Sequence, residues 1–299
     1  MKKRTMISFF FILIFFFSSA VPSTYGLSSI MANDDNGDTT YLMDALSFSA
    51  QQVNIQKEYW AVLVAINAYG GSFLPYSINE ITQFKNTLLD GGNWKESNIL
   101  MLTDEEATIN GIITSIEWLE SNADENDVSL FYFVGHGKKS GDTESIIAYG
   151  GSMTDLELDQ HLDRINGTVV TILDSCYSGG FIDELKQRGR IVLTACAADE
   201  NTYQVRDLES GIFGYYLNLT LESYTKFAEG TYLLTWLFSV SYSQKLSKQY
   251  NESYTIHPQI YDGTLTRTRL INHHSYFNNV FSKFIYSLSF SKENSVFRM

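Results

Sequence analysis

Two side chains in this sequence have the types and the placement to do covalent chemistry together. Cys176, one of two cysteines among 299 residues, ends the apolar run TVVTILD and its Asp174-Ser175 exit, and it opens a turn closed by Gly179 and Gly180. His136 follows a second apolar run, VSLFYFV, and is flanked by Gly135 and Gly137. A free thiol ionises at about pH 8.5 and becomes a useful nucleophile when a neighbour favours the thiolate. An imidazole is the side chain best suited to take that proton and return it to a leaving group. The two residues are forty positions apart. If their runs are adjacent parallel strands, spaced about 4.8 Å, thiol and imidazole project from one sheet edge. His161, His257, His273 and His274 follow no comparable run. Cys196, at the end of RIVLTAC, offers an alternative use of Cys176, a disulfide between the two cysteines.

The elements that would position these groups are legible in the patterning. WAVLVAIN (60–67), VSLFYFV (128–134), TVVTILD (168–174) and RIVLTAC (190–196) are continuously apolar, as strands buried on both faces are, and NILML (98–102) is a shorter candidate. Ile109, Ile112, Ile113, Ile116 and Leu119 recur at helical spacing, 78–89 is a weaker helical stretch, and Leu233, Trp236, Leu237 and Val240 mark a later helix. Thr154 and Glu157 form a capping box that starts a short helix. Strands alternating with helices predict an α/β domain whose mostly parallel sheet carries helices on both faces. Open sheets of this kind hold their chemistry beyond the carboxyl ends of the strands, where His136 and Cys176 lie.

These motifs resemble the caspase, metacaspase and legumain superfamily of cysteine endopeptidases. The resemblance rests on GHG at 135–137 and DSCYSGG at 174–180, supported by EYWAVLVAIN at 58–67, ILMLTDEEAT at 99–108 and HPQIYDG at 257–263. It implies a mostly parallel caspase-like sheet of about six strands. It also implies that Cys176 attacks the peptide carbonyl, that His136 protonates the leaving amine, and that the amides of Gly137 and Cys176 form an oxyanion hole. Relatives that cut after Asp or Asn carry an arginine after the first strand, and 67–84 contains neither Lys nor Arg. Relatives that cut after Arg or Lys use acids, one of them two places before the cysteine. Asp174 and Glu80 match those positions, and Asp199 and Glu200 follow the next strand end. The expectation is therefore cleavage after basic residues. Alternatives are a silent peptide-binding module and an Asn-specific peptidase or transamidase of legumain type. Lys186, Arg188 and Arg190, between the cysteine-bearing strand and the next, mark a segment where relatives are often cut.

Composition narrows the partners. A net charge of −13 disfavours nucleic acid, and the substrate expected is a peptide or protein. No cofactor is called for. Calcium suits the acidic charge but finds no ligand set, because around Asp34, Asn36 and Asp38 the glycine is misplaced for a calcium loop and no glutamate follows at the twelfth position. Residues 1–20 read as a secretory signal, with basic residues at 2–4 and an apolar core from Met6 to Phe17 that is shorter than the roughly 20 residues of a membrane span. The expectation is an exported chain with no stable span. Residues 21–55 read as a linker or propeptide, 56–263 as the caspase-like domain, and 264–299 as a C-terminal extension. In that extension Phe277, Val280, Phe281, Phe284, Ile285 and Leu288 suggest an amphipathic helix.

Overall fold

A computed structural model describes residues 56–273 and 295–299. The signal-like segment, the linker and the apolar 277–288 pattern lie outside the described residues. A six-stranded sheet dominates. Strands β1 (Tyr59–Ala65), β2 (Ile99–Thr103), β3 (Val128–Val134), β7 (Thr168–Asp174) and β8 (Arg190–Thr194) run parallel, and β11 (Gln259–Asp262) closes one edge antiparallel to β8, giving the order β11-β8-β7-β3-β1-β2. All seven residues of β3 are buried, as its almost wholly apolar sequence, broken only by the small Ser129, requires. The pleat sends alternate side chains to two separate cores: Leu63, Tyr132 and Ile172 pack on one face, Val64, Phe133 and Leu173 on the other.

Among the described residues six α-helices cover these faces: α1 (Ser77–Asp90), α2 (Ile109–Asn122), α3 (Asp155–Leu162), α4 (Ile182–Leu185), α5 (Ile212–Ser223) and α6 (Ala228–Tyr250). Helix α2 buries Ile112, Ile116 and Leu119, each worth about 2 kcal/mol of transfer from water, and Thr108 caps it by accepting from the Gly111 amide at 3.0 Å. The capping box at α3 forms as expected. Thr154 Oγ1 accepts from the Glu157 amide, and Glu157 Oε2 accepts from the Thr154 amide at 2.8 Å.

Helix α6 is where the pattern misleads. The helix exists, but Leu233 and Leu237 point to solvent while Thr231, Thr235, Ser239 and Ser243 face inward. Small side chains there allow a close approach to α5, where Thr235 donates to the Tyr216 carbonyl at 3.4 Å. An apolar-stripe argument misses a helix whose inner face is chosen for size.

Two small sheets leave the main one. A meander of β4 (Gly137–Ser140), β5 (Thr143–Ala148) and β6 (Gly151–Thr154) follows β3 directly. After β8, β9 (Tyr203–Val205) pairs antiparallel with β10 (Ser210–Gly211) and with β12 (Val296–Arg298). Among the described residues no helix is long and apolar enough to cross a membrane.

Candidate active site

The register of the central strands fixes the site. Val134 and Asp174 are Cα partners across β3 and β7, and His136 and Cys176 each lie two residues further on. Imidazole and thiol therefore emerge side by side at the carboxyl edge, where the backbones diverge. The divergence is close-packed. A Cβ at Gly137 would stand 2.2 Å from the Cys176 carbonyl oxygen, and one at Gly135 would stand 2.2 Å from the Tyr69 hydroxyl. Glycine at both places is a steric requirement. Tyr177, immediately after the cysteine, takes a left-handed conformation at φ 63°, a sharp turn that a non-glycine residue rarely adopts.

His136 is held from three directions. Its amide donates to the Tyr69 hydroxyl at 2.8 Å, the Tyr69 ring packs against the imidazole at 4.6 Å between centroids, and Nε2 meets Ser72 Oγ. Burial lowers its pKa, partly opposed by a hydrogen bond to the Met299 carbonyl, so the ring is neutral near pH 7. Tyr69, Ser72 and His136 line one wall of a cavity of about 590 Å³, continued by Ile147, Tyr149 and Gly151 of the meander region. Sequence reading missed Tyr69 and Ser72. They lie in an irregular loop after β1 and have no periodicity to betray them.

Cys176 is fully buried, and its thiol donates to the backbone carbonyl of Met299, with the Thr202 carbonyl further away at 3.8 Å. Burial pushes the thiol pKa up, and nearby Arg298 opposes the shift. Both cysteines are free, so the disulfide alternative is not realised. Cys196 lies inside the turn rather than at the edge. Its sulfur approaches the Ser175 carbonyl at 3.5 Å and the Glu200 carbonyl at 3.3 Å, and burial pushes its pKa to about 12.

The acids sort into two groups. Asp174 and Glu80 come together, from the end of β7 and the first turn of α1, both wholly enclosed. Glu80 accepts from the Tyr132 hydroxyl at 2.6 Å, the Gly211 amide at 2.7 Å and the Ser210 hydroxyl at 2.9 Å. Asp174 accepts from the Gly214 amide at 3.0 Å and from the Thr202 hydroxyl at 3.3 Å. Burial raises both carboxyl pKa values, and the charge of Glu80 raises Asp174 further. Asp199 and Glu200 stand apart from this pair. Asp199 is exposed, and Glu200 grips the His257 ring at 2.5 Å while accepting from the Ala197 amide at 3.1 Å. Glu200 ties the turn after β8 to the segment before β11. Among the described residues no group of three or more His, Cys, Asp or Glu could hold a metal ion.

With this geometry in view, the comparisons with known proteins are consistent. The fold resembles a crystal structure of a Geobacter sulfurreducens protein with a TM-score of 0.52 over 73% of this chain and 97% of that one, at 13% identity, a likeness of fold alone. In strand order and in the His and Cys at neighbouring strand ends, the chain is similar to caspase-like cysteine peptidases, and the matches below point the same way. A family model described as "Metacaspase, peptidase C14 domain" matches residues 60–185, from β1 to the end of α4. Metacaspase-1 of Eremothecium gossypii is 27% identical over 146 residues, 41% of this chain and 32% of that protein. Metacaspase-2 of Arabidopsis thaliana is 32% identical over 128 residues, 36% of this chain and 31% of that protein. The chain thus spans about a third of the length of these relatives.

Proposed function

We propose that the protein is an exported cysteine endopeptidase that hydrolyses peptide bonds after basic residues. Cys176 Sγ attacks the carbonyl carbon, the amides of Gly137 and Cys176 stabilise the oxyanion, and His136 protonates the departing amine. Water then hydrolyses the thioester, with His136 as base. The observation that carries this reading is the Val134–Asp174 pairing, which sets both reactive groups at one edge with equal overhang. The basic preference is supported by the Glu80–Asp174 pair beside the nucleophile and by the lack of any cation from 67 to 84. Export rests on the signal-like segment at 1–20.

The test is turnover of peptides differing only in the residue before the scissile bond, using wild type, Cys176→Ala and His136→Ala. Cleavage confined to wild type and to Arg or Lys peptides is the expected result. A second reading, a silent peptide-binding module, draws on the peptide strand that already lies against Cys176. No turnover on any peptide, with wild type and Cys176→Ala alike, would select it.

A further inference from the structure

The segment 295–299 crosses the site as an added strand. Arg206 donates its amide to the Ser295 carbonyl at 2.9 Å, and β12 then pairs antiparallel with β9 through Val296–Val205, Phe297–Gln204 and Arg298–Tyr203. The Met299 amide closes the ladder onto the Thr202 carbonyl at 3.1 Å. Its own main-chain oxygen accepts from the Cys176 thiol and from the His136 imidazole, so the end of the segment fills the space between the two reactive groups. Side chains fix the register. Phe297 packs edge-on against Tyr76 at 6.1 Å, Arg298 donates to the Tyr177 hydroxyl at 2.9 Å and reaches the cysteine, and Met299 is only 2% exposed. Strand addition of this kind takes its affinity from the backbone ladder and its selectivity from alternate side chains.

We propose that the groove along β9 is a strand-addition site for an extended aromatic-Arg-apolar peptide, and that residues 295–299 of this same chain occupy it and close it to other peptides. The inference rests on Cys176 as the reactive group of the proposed function. Met299 fills the space in front of the Cys176 thiol, so every competing peptide must displace the whole ladder. Tyr177 selects the preceding residue, because its hydroxyl is the partner that Arg298 finds.

The experiment uses the full chain and reads alkylation of Cys176 by iodoacetamide in mass spectra, with Cys196 as the internal monitor of unfolding. Phe297→Ala and Arg298→Glu should each speed alkylation of Cys176 about tenfold or more while Cys196 stays protected. Arg298→Ala, a milder change at an exposed side chain, provides the same comparison if the charge reversal unfolds the domain. An added acetylated peptide of sequence SVFRM should restore protection in the variants. Equal alkylation of wild type and all variants, or no protection by the peptide, overturns the proposal. Neither readout needs turnover. Protection without hydrolysis of any substrate leaves the docking intact and removes the peptidase reading, whereas equal hydrolysis by wild type and variants leaves the peptidase and removes the docking.

Discussion

Protonated Asp174 donates a carboxyl hydrogen bond to ionised Glu80 in a space sealed from solvent, so the two acids behave as one site carrying a single charge. Three donors already stabilise the Glu80 anion, which makes Asp174 the member that keeps the proton. Its folded pKa is raised, so between the ordinary carboxylate value of about 4 and that raised value the folded state binds more protons than the unfolded chain. The stabilising contribution is complete below about pH 4 and drains away as pH rises towards the folded pKa. Asp174→Asn removes this dependence. Melting temperatures of the variant should gain on wild type steadily from pH 5 to pH 8, and a constant difference across that range would mean that Asp174 is ionised in the fold. On peptides, the variant should lose more on Arg and Lys substrates than on neutral ones, since a buried cation without its acid is costly.

The two cysteines should separate cleanly. Cys196→Ser is expected to retain most peptide cleavage, because its thiol faces carbonyls inside the turn with a pKa near 12. Cys176→Ala and His136→Ala should each abolish it without changing the far-ultraviolet circular dichroism. Loss of activity in folded Cys196→Ser equal to that in Cys176→Ala would place the nucleophile wrongly.

Gly137→Ala tests the close approach of the chain after β3 to the chain after β7. Its new methyl group would sit 2.2 Å from the Cys176 carbonyl oxygen, so either the histidine loop or the cysteine turn must move. A loss of about 2 kcal/mol in stability is expected, within the 1–3 kcal/mol range of overpacked sites, with cleavage falling at least about a hundredfold through the displaced amide. Gly141, also in this region, has open space where its Cβ would go but a φ of +64°, so Gly141→Ala should cost about 1 kcal/mol of strain and spare activity.

Self-cleavage, where it occurs, should fall after Lys186 or Arg188 and spare Arg190. The sequence places all three in one solvated connection, but Arg190 is 1% exposed and binds Asp159 at 2.6 Å, Asp163 at 2.9 Å and the Leu185 carbonyl at 3.1 Å. N-terminal sequencing of fragments from wild type, against an intact Cys176→Ala control, locates the cut. The same network makes a stability prediction. Asp159→Asn with Asp163→Asn strands a buried guanidinium and should cost about 3 kcal/mol in urea denaturation, while Arg190→Met, which leaves two partly hydrated acids, should cost less.

What the sequence determined by itself was whatever rests on local order. Largely apolar runs at 128–134 and 168–174 matched β3 and β7 to the residue, because a strand buried on both faces is apolar nearly throughout and here admits only small hydroxyls before the terminal Asp174. The capping box at Thr154 and the isoleucine periodicity of α2 were equally local. His136 and Cys176 were readable because their strands end immediately before them, and Glu80 and Asp174 through the motifs around them. Tertiary structure alone decided which groups meet. Glu200 turned to His257, Arg190 turned inward, and Tyr69 and Ser72 joined His136 from a loop without pattern. Most of all, Val296 to Met299 crossed more than a hundred positions to reach Cys176. A three-residue strand has no period to detect, and its pairing energy exists only once β9 presents a free edge beside the thiol.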